Sequence, residues 1–212
     1  MIFLGTDLLI NSGKVRVCYQ HPANPDLVIK IPVGKKRKEK QANIKELKGY
    51  QVLMREHVDL FCISHCYGFV STDRGKGLVC DCIRDDGGSV SKTIWDVIIC
   101  QEECEIEYVQ KVAEELCSYL ISRDIFIFDL NLKNIALRLQ KDMTYQPVVL
   151  DLKGRYDNNE LIPWSSYISY FARRKLARRC RQLIDRISTF REQRTEFQVA
   201  EKNFRAQQGI NV

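Results

Sequence analysis

No apolar run in this 212-residue chain approaches the ~20 residues that a transmembrane helix needs. The apolar stretch at the start, Met1 to Ile10, has neither a basic region before it nor a small-residue cleavage site after it, so a cleaved export signal is not expected. A cytoplasmic location is the expectation. Internal repeats and low-complexity segments are also missing. Neither sign of charge dominates: 33 Lys and Arg stand against 27 Asp and Glu, a net charge of +6. With 45% hydrophobic and 28% charged residues the chain has enough apolar surface for a sizeable core, which excludes disorder and collagen-like architectures.

Cysteine, by contrast, is plentiful. The nine are Cys18, Cys62, Cys66, Cys80, Cys82, Cys100, Cys104, Cys117 and Cys180. An odd count without an export signal argues for reduced thiols rather than a disulfide framework. Two basic clusters also stand out, Lys35-Lys36-Arg37-Lys38 and the stretch Arg173 to Arg181. The second repeats at helical spacing, the usual pattern of a solvated face. It is also a candidate surface for an anionic partner, whether a phosphorylated chain, a nucleic acid or an anionic membrane.

The first third of the chain reads as antiparallel strands. Asp7 to Ile10 and Lys14 to Tyr19 are extended runs around the turn signal Asn11-Ser12-Gly13, and Asp26 to Pro32 contains the apolar strand Leu27 to Ile31. A charged helix from about Lys38 to Glu56 follows, with Ile44, Leu47, Tyr50 and Leu53 on one face. Strands at about Ser64 to Ser71 and Lys76 to Ile83 flank a turn at Asp73 to Gly75, and Asp85-Asp86-Gly87-Gly88 reads as a polar linker.

The second half is mostly helical. Glu105 to Arg123 carries Ile106, Val109, Val112, Ala113, Leu116, Leu120 and Ile121 on a broad stripe, a core helix. Asp124 to Phe128 looks strand-like, and Ile135 to Leu139 with Gln146 to Leu150 looks like a hairpin. Trp164 to Arg194 reads as one or two amphipathic helices, carrying Tyr167, Ile168, Phe171, Leu176, Leu183, Ile184 and Ile187. The expected class is α+β, in two lobes. Its N-lobe (1–84) is an antiparallel sheet with one core helix, its C-lobe (85–195) is minimal and mostly helical, and a polar tail (196–212) is expected to be flexible.

Phosphate chemistry tells which residues to weigh. A triphosphate needs a fixed cation against its oxygens, and a strand lysine held by a helix carboxylate is one way to place it. Lys30, in Val28-Ile29-Lys30-Ile31, matches the V-A-I-K strand of kinases, and Glu46 lies on the helix that would pack against it. Asp129-Leu130-Asn131-Leu132-Lys133-Asn134 fits D-L-x-x-x-N, which makes Asp129 the candidate base and Asn134 a metal ligand. Asp151 ends the apolar run Val148-Val149-Leu150, where a strand delivers a carboxylate to Mg2+. Gly13 is the one glycine in the candidate phosphate-covering turn, and adenine is expected against Cys80 to Ile83, with Cys82 as a contact. Each element alone is weak; the ordered set is specific, and the expected α+β fold is therefore a protein-kinase-like bilobal one.

Each of these residues also has a structural alternative. Lys30 is also readable as a strand-end lysine reaching water, and Glu46 as one charge of a solvated face. Asp129 also suits a turn, and Asn134 with Asp151 also suits the scaffold of a site without metal. Cys62-Ile63-Ser64-His65-Cys66 with Cys80, Cys82, Cys100 and Cys104 raises a zinc reading, against which small buried hydrophobes explain most of the thiols.

At this level the chain resembles the PhoP regulatory network protein YrbL family of bacterial kinase-like proteins, from about Gly5 to Arg186. The resemblance rests on Val17-Cys18-Tyr19-Gln20-His21-Pro22, Val28-Ile29-Lys30-Ile31, Lys45-Glu46-Leu47-Lys48-Gly49-Tyr50, Tyr67-Gly68-Phe69-Val70 with Thr72-Asp73, Leu132-Lys133-Asn134-Ile135 and Pro163-Trp164-Ser165. The family's name records a regulatory network; the kinase-like constellation implies an ATP- and Mg2+-dependent phosphotransferase, with ATP and Mg2+ as cofactors. Departures from protein kinases are clear. There is no G-x-G-x-x-G, Ile127 and Phe128 stand where His and Arg would precede Asp129, Leu152 follows Asp151, and there is no A-P-E. Pocket chemistry is retained without peptide-substrate apparatus, which favours a small-molecule, sugar or lipid-like hydroxyl acceptor over a peptide. The competing expectation is a pseudokinase-like regulator that binds nucleotide or a protein partner without phosphoryl transfer. A nucleic-acid-binding module, the third expectation, has no recognisable motif here.

Overall fold

Strand alternation in the segment Leu27 to Pro32 organises the first half. In a strand successive side chains point to opposite faces, so Val28 and Lys30 face one way and Ile29 and Ile31 the other. Both faces are buried. Ile29 and Ile31 pack with Leu4, Tyr19 and Val79 in one cluster, while Val28 belongs to the main core on the opposite face. The computed structural model describes residues 1–13, 15–34, 37–57, 60–100, 103–152 and 169–207. Lys14, Lys35, Lys36, the segment with Trp164, Tyr167 and Ile168, and the residues after Gln207 lie outside it, as do the side chains of Cys100 and Cys104.

Five strands, β1 (Leu9–Ser12), β2 (Arg16–His21), β3 (Asn24–Pro32), β4 (Cys66–Thr72) and β5 (Gly75–Asp81), form one antiparallel sheet in the order β1-β2-β3-β5-β4. The N-terminal stretch covers its outer face: Leu4 is buried, its N–H donates to Asp73 Oδ1 at 2.9 Å, and Arg74 Nε donates to its carbonyl at 2.9 Å. Residues Thr6–Leu8 form a 3-10 turn rather than strand, and Asn11 and Ser12 pair within β1, so the first hairpin turns two residues later than expected. Gly77 in β5 is required by close packing. A Cβ there would meet Ile29 Cγ2 at 2.4 Å and Ile31 Cδ1 at 2.8 Å.

Helix α1 (Arg37–Glu56) covers the other face of the sheet. Its inner stripe differs from the expected one. Asn43, Glu46, Tyr50 and Leu53 are buried, Leu47 is half-buried, and Ile44 is exposed. The stripe begins with two polar residues because it faces a buried lysine, whereas a purely apolar criterion selects the neighbouring face.

The second half holds α2 (Ile94–Cys100), α3 (Glu103–Ser122), the hairpin β6 (Ile135–Leu139) and β7 (Tyr145–Val149), and α4 (Ser169–Gln207). Helix α2 is an addition to the expected elements, although its start carries a capping box: Asp96 N–H donates to Thr93 Oγ1 at 3.3 Å and Thr93 N–H to Asp96 Oδ2 at 3.0 Å. In α3 Cys117 joins the core in place of Ile121, which is exposed. It packs against α4 through Ala172, Leu176, Leu183 and Ile187. The run Ile125 to Phe128 is buried but forms no strand; it enters from Asp124, whose φ of 54° turns the chain after α3. Helix α4 continues into the expected tail as far as Gln207, with no Gly or Pro between Ser169 and Gln207 to stop it.

The Asp/Gly linker is held at many points. Asp85 Oδ1 accepts from Ser91 Oγ at 2.6 Å and from Leu139 N–H at 2.9 Å, and Arg138 Nε donates to Arg84 O at 3.0 Å. A second tie joins the halves at Cys62 to Ser64. There Val149 N–H donates to Cys62 O at 2.8 Å and Ser64 N–H to Val149 O at 2.9 Å. The result is an α+β molecule with an antiparallel N-terminal sheet and a mostly helical C-terminal part. Among the described residues no helix is long and apolar enough to cross a membrane.

Candidate functional site

The Cβ alternation that places Ile29 and Ile31 in the outer cluster leaves Lys30 pointing beneath α1. Lys30 is 7% exposed and Glu46 2%, burial that an isolated charge does not tolerate. Lys30 Nζ lies 2.6 Å from Glu46 Oε1 and donates to the Leu150 carbonyl at 2.7 Å. Asn43, one turn before Glu46 on the same stripe, donates from Nδ2 to the Lys30 carbonyl at 2.7 Å and seats the helix on β3. Burial alone would lower the Lys30 pKa. Nearby negative groups, the carboxylate of Glu46 among them, outweigh it, and the ammonium stays protonated above its ordinary range.

The carboxylate of Glu46 has a second cation. Arg16 Nη1 donates to Glu46 Oε2 and, at 3.4 Å, to Asn43 Oδ1, while Arg16 Nη2 lies 2.6 Å from Asp151 Oδ2. Arg16 opens β2 and pairs with Pro32, and two residues on, Cys18 pairs with Lys30. Arg16 therefore shares the face of Lys30. Reading along the chain does not single it out. Its signal exists only once the β2–β3 register is known.

Lys30, Glu46 and Asp151 thus meet in one cluster of two cations and two carboxylates. Asn134 adjoins it through the backbone: Leu150 N–H donates to the Asn134 carbonyl at 2.8 Å. In the loop before β6, Asn134 Nδ2 donates to the Asp129 carbonyl at 3.4 Å and Asn131 Nδ2 to Asp129 Oδ1 at 3.1 Å. Leu130 and Leu132 are buried beneath that loop and fix it, while Asp129, Asn131 and Asn134 remain half-buried. Lys133 turns aside, its Nζ 4.7 Å from the centre of the Trp95 ring.

Gly13 lies in the turn between β1 and β2, its N–H donating to the Arg16 carbonyl at 2.9 Å. Cys82 is buried at the start of the linker. Its N–H donates to the Asp26 carbonyl at 2.8 Å, and the carbonyl of Ile83 accepts from Ser91 N–H at 2.9 Å. Two backbone groups suited to an adenine edge are therefore already engaged within the protein.

Behind Lys30 the two thiols Cys66 and Cys80 face each other across β4 and β5, their sulfurs 3.2 Å apart, with Cys80 Sγ 3.9 Å from Glu46 Oε1. Glu46, Cys66 and Cys80 are the donors that come within 4.8 Å of one another among the described residues. A structural zinc site takes four ligands, and this carboxylate is already shared by two cations. The hydrogen bond to Cys80 and burial push the Cys66 thiol up, which keeps it neutral. A cleft of about 300 Å³ between α1 and β4, lined by Leu47, Tyr50, Met54, Cys66 and Tyr67 among others, contains none of Arg16, Lys30, Glu46 or Asp151.

The basic stretch of α4 divides. Arg173 makes a two-pronged pair with Asp124, at 2.8 and 2.5 Å, and Lys175 is buried with Nζ 4.3 Å from the centre of the Phe128 ring. Arg174, Arg178 and Arg181 are exposed.

The family model for the PhoP regulatory network protein YrbL matches residues 2–188. The uncharacterized protein YrbL of Escherichia coli (strain K12) is 30% identical over 168 residues, which cover 79% of this chain and 80% of that protein, and the YrbL of Shigella flexneri gives the same figures. A match running from the first strand well into α4, over the sheet, the ion-pair cluster and the Asp129 loop together, places the chain in the PhoP regulatory network protein YrbL family.

Proposed function

We propose that the protein is an ATP- and Mg2+-dependent phosphotransferase of the kinase-like superfamily, with a hydroxyl acceptor. The observation that carries this reading is the buried Lys30–Glu46 pair at 2.6 Å, joined to the end of the β6–β7 hairpin by the Lys30–Leu150 bond at 2.7 Å. A fixed ammonium at a lobe junction, next to a carboxylate at a strand end, suits a polyphosphate with its metal.

The donor set fits Mg2+, which prefers hard oxygens. Asp151 supplies a carboxylate, and Asn134, with its Nδ2 turned to the Asp129 carbonyl, has an amide oxygen to offer. When bound, the metal would neutralise charge on the phosphates. Lys30 would bind phosphate oxygens, Glu46 would hold Lys30 in place, and Asp129 would orient the acceptor hydroxyl and take its proton. Gly13 would let the backbone approach phosphate, and adenine would lie along Cys80 to Ile83.

A second reading is a regulatory protein that binds nucleotide or a protein partner without phosphoryl transfer; the engagement of Cys82 N–H and Ile83 C=O inside the protein favours its protein-partner form. One experiment separates them from an empty site: calorimetric titration of ATP with Mg2+ into the parent and Asp151→Ala. One-to-one heat weakened in the variant supports the metal-nucleotide site, and an acceptor screen with Asp129→Asn as control then tests transfer. Absence of heat, with no change in melting at millimolar ATP, overturns both nucleotide readings.

A further inference from the structure

Asp151, the carboxylate assigned above to the metal, is engaged by a guanidinium: Arg16 Nη2 lies 2.6 Å from Asp151 Oδ2 while Nη1 holds Glu46. The contact is well sheltered, with the Arg16 side chain 13% exposed and that of Asp151 21%, so salt screens it less than a surface pair. Arg16 is also anchored as a residue. Its carbonyl accepts from Gly13, and its strand position is set by pairing with Pro32. With Lys30 alongside, two cations balance two carboxylates.

This balance acts on anything that enters. A divalent cation arriving alone meets a neutralised carboxylate beside two fixed positive groups, and like charges repel. A polyphosphate reverses the situation, because it offers the guanidinium other oxygens to bind and adds negative charge. We propose that Arg16 is a gate on the candidate metal site. It holds Asp151 while no phosphate is present and turns to phosphate oxygens when nucleotide arrives, so that metal alone binds poorly and metal and nucleotide bind cooperatively. The gate rests on the assignment of Asp151 to the metal, and its test distinguishes failure of one from failure of the other.

Mn2+ is the probe, since its free ion is counted directly by electron paramagnetic resonance and it takes the same oxygen ligands as Mg2+. The full chain, Arg16→Gln, Arg16→Lys, Asp151→Asn and the Arg16→Gln/Asp151→Asn double variant are titrated with and without ATP, after near-UV circular dichroism has checked folding. Without ATP, Arg16→Gln is expected to bind Mn2+ about tenfold more tightly than the parent, the low end of what an adjacent guanidinium does to a carboxylate's affinity for a competing cation. The double variant loses that gain. ATP raises Mn2+ affinity less in Arg16→Gln than in the parent. Arg16→Lys keeps a cation for Glu46 but lacks a second nitrogen for Asp151, so it gains in the same direction and serves where Arg16→Gln fails to fold.

A merely structural role for Arg16 predicts unchanged or weaker metal binding. If the parent binds Mn2+ with ATP through Asp151 but neither Arg16 variant binds Mn2+ alone more tightly, the gate is wrong and the metal site stands. If no protein binds Mn2+ with or without ATP, the assignment of Asp151 fails and the gate goes with it.

Discussion

Lys30 Nζ donates to the Leu150 carbonyl at 2.7 Å across a sequence separation of 120. A side chain rooted in the sheet is thereby tied to the end of the β6–β7 hairpin, one residue before Asp151. The remaining capacity of that ammonium goes in part to Glu46, so one buried group sets the position of a helix, a strand and a hairpin end relative to each other.

Removing the shared carboxylate should be the most damaging single change in this cluster. Glu46→Ala leaves both Lys30 and Arg16 buried without it, and breaking a buried pair from one side costs about 3–5 kcal/mol. Lys30→Met should cost less, because Arg16 still neutralises Glu46. Urea midpoints compared at equal slope check the order. A Glu46→Ala midpoint at or above that of Lys30→Met would show that Glu46 does not hold both cations.

Alkaline pH should weaken the fold in a way that Tyr50 accounts for in part. Burial, helped by nearby negative groups, pushes the Tyr50 phenol up from an ordinary 10.0 to about 12. Its O–H contacts His65 Nδ1. For a phenol whose folded pKa is raised, the contribution to stability is complete below the unfolded pKa near 10.0 and is lost as pH rises to about 12. Denaturant midpoints measured from pH 8 upward should therefore begin to fall near pH ~10. The fall should be smaller in Tyr50→Phe; an identical decline in both proteins would remove Tyr50 from the explanation.

The linker should behave as a pinned segment. Asp85→Ala removes the acceptor for Ser91 Oγ and for the Leu139 N–H, and leaving such donors unsatisfied costs about 1–3 kcal/mol. Hydrogen exchange should quicken around residues 85–91 and at Leu139. Unchanged protection at Leu139 would mean that the linker does not lean on the hairpin.

Parts of this organisation are legible in the amino-acid order. Lys30 stands out because a lysine inside an apolar strand has to find a counter-charge, and Glu46 because it sits on the helix that follows. The same helix shows where apolar patterning misleads. Its buried stripe starts with Asn43 and Glu46, while a search for hydrophobic faces selects Ile44, which is exposed. Helix α2 is signalled by the Thr93-to-Asp96 capping box, a short cue that the Gly/Asp run before it overshadows. The strand-like run Ile125 to Phe128 shows the reverse. Four buried apolar residues read alike whether they pair in a ladder or fill a loop beneath Asp129.

What the sequence determined by itself was local and periodic: the alternation that turns Lys30 inward, the stripe of α3, and the hairpin of Ile135–Leu139 with a second strand that the structure starts one residue before the expected Gln146. Tertiary structure alone decided which charges meet. Arg16 joins Glu46 and Asp151 because strand register places it on the face of Lys30. Asp85 becomes an anchor because a hairpin distant in sequence folds back on it. Cys82 has its N–H engaged because Asp26, near the start of β3, lies beside it. Register and long-range hydrogen bonding arise from the packing of whole elements, and no spacing along the chain encodes them.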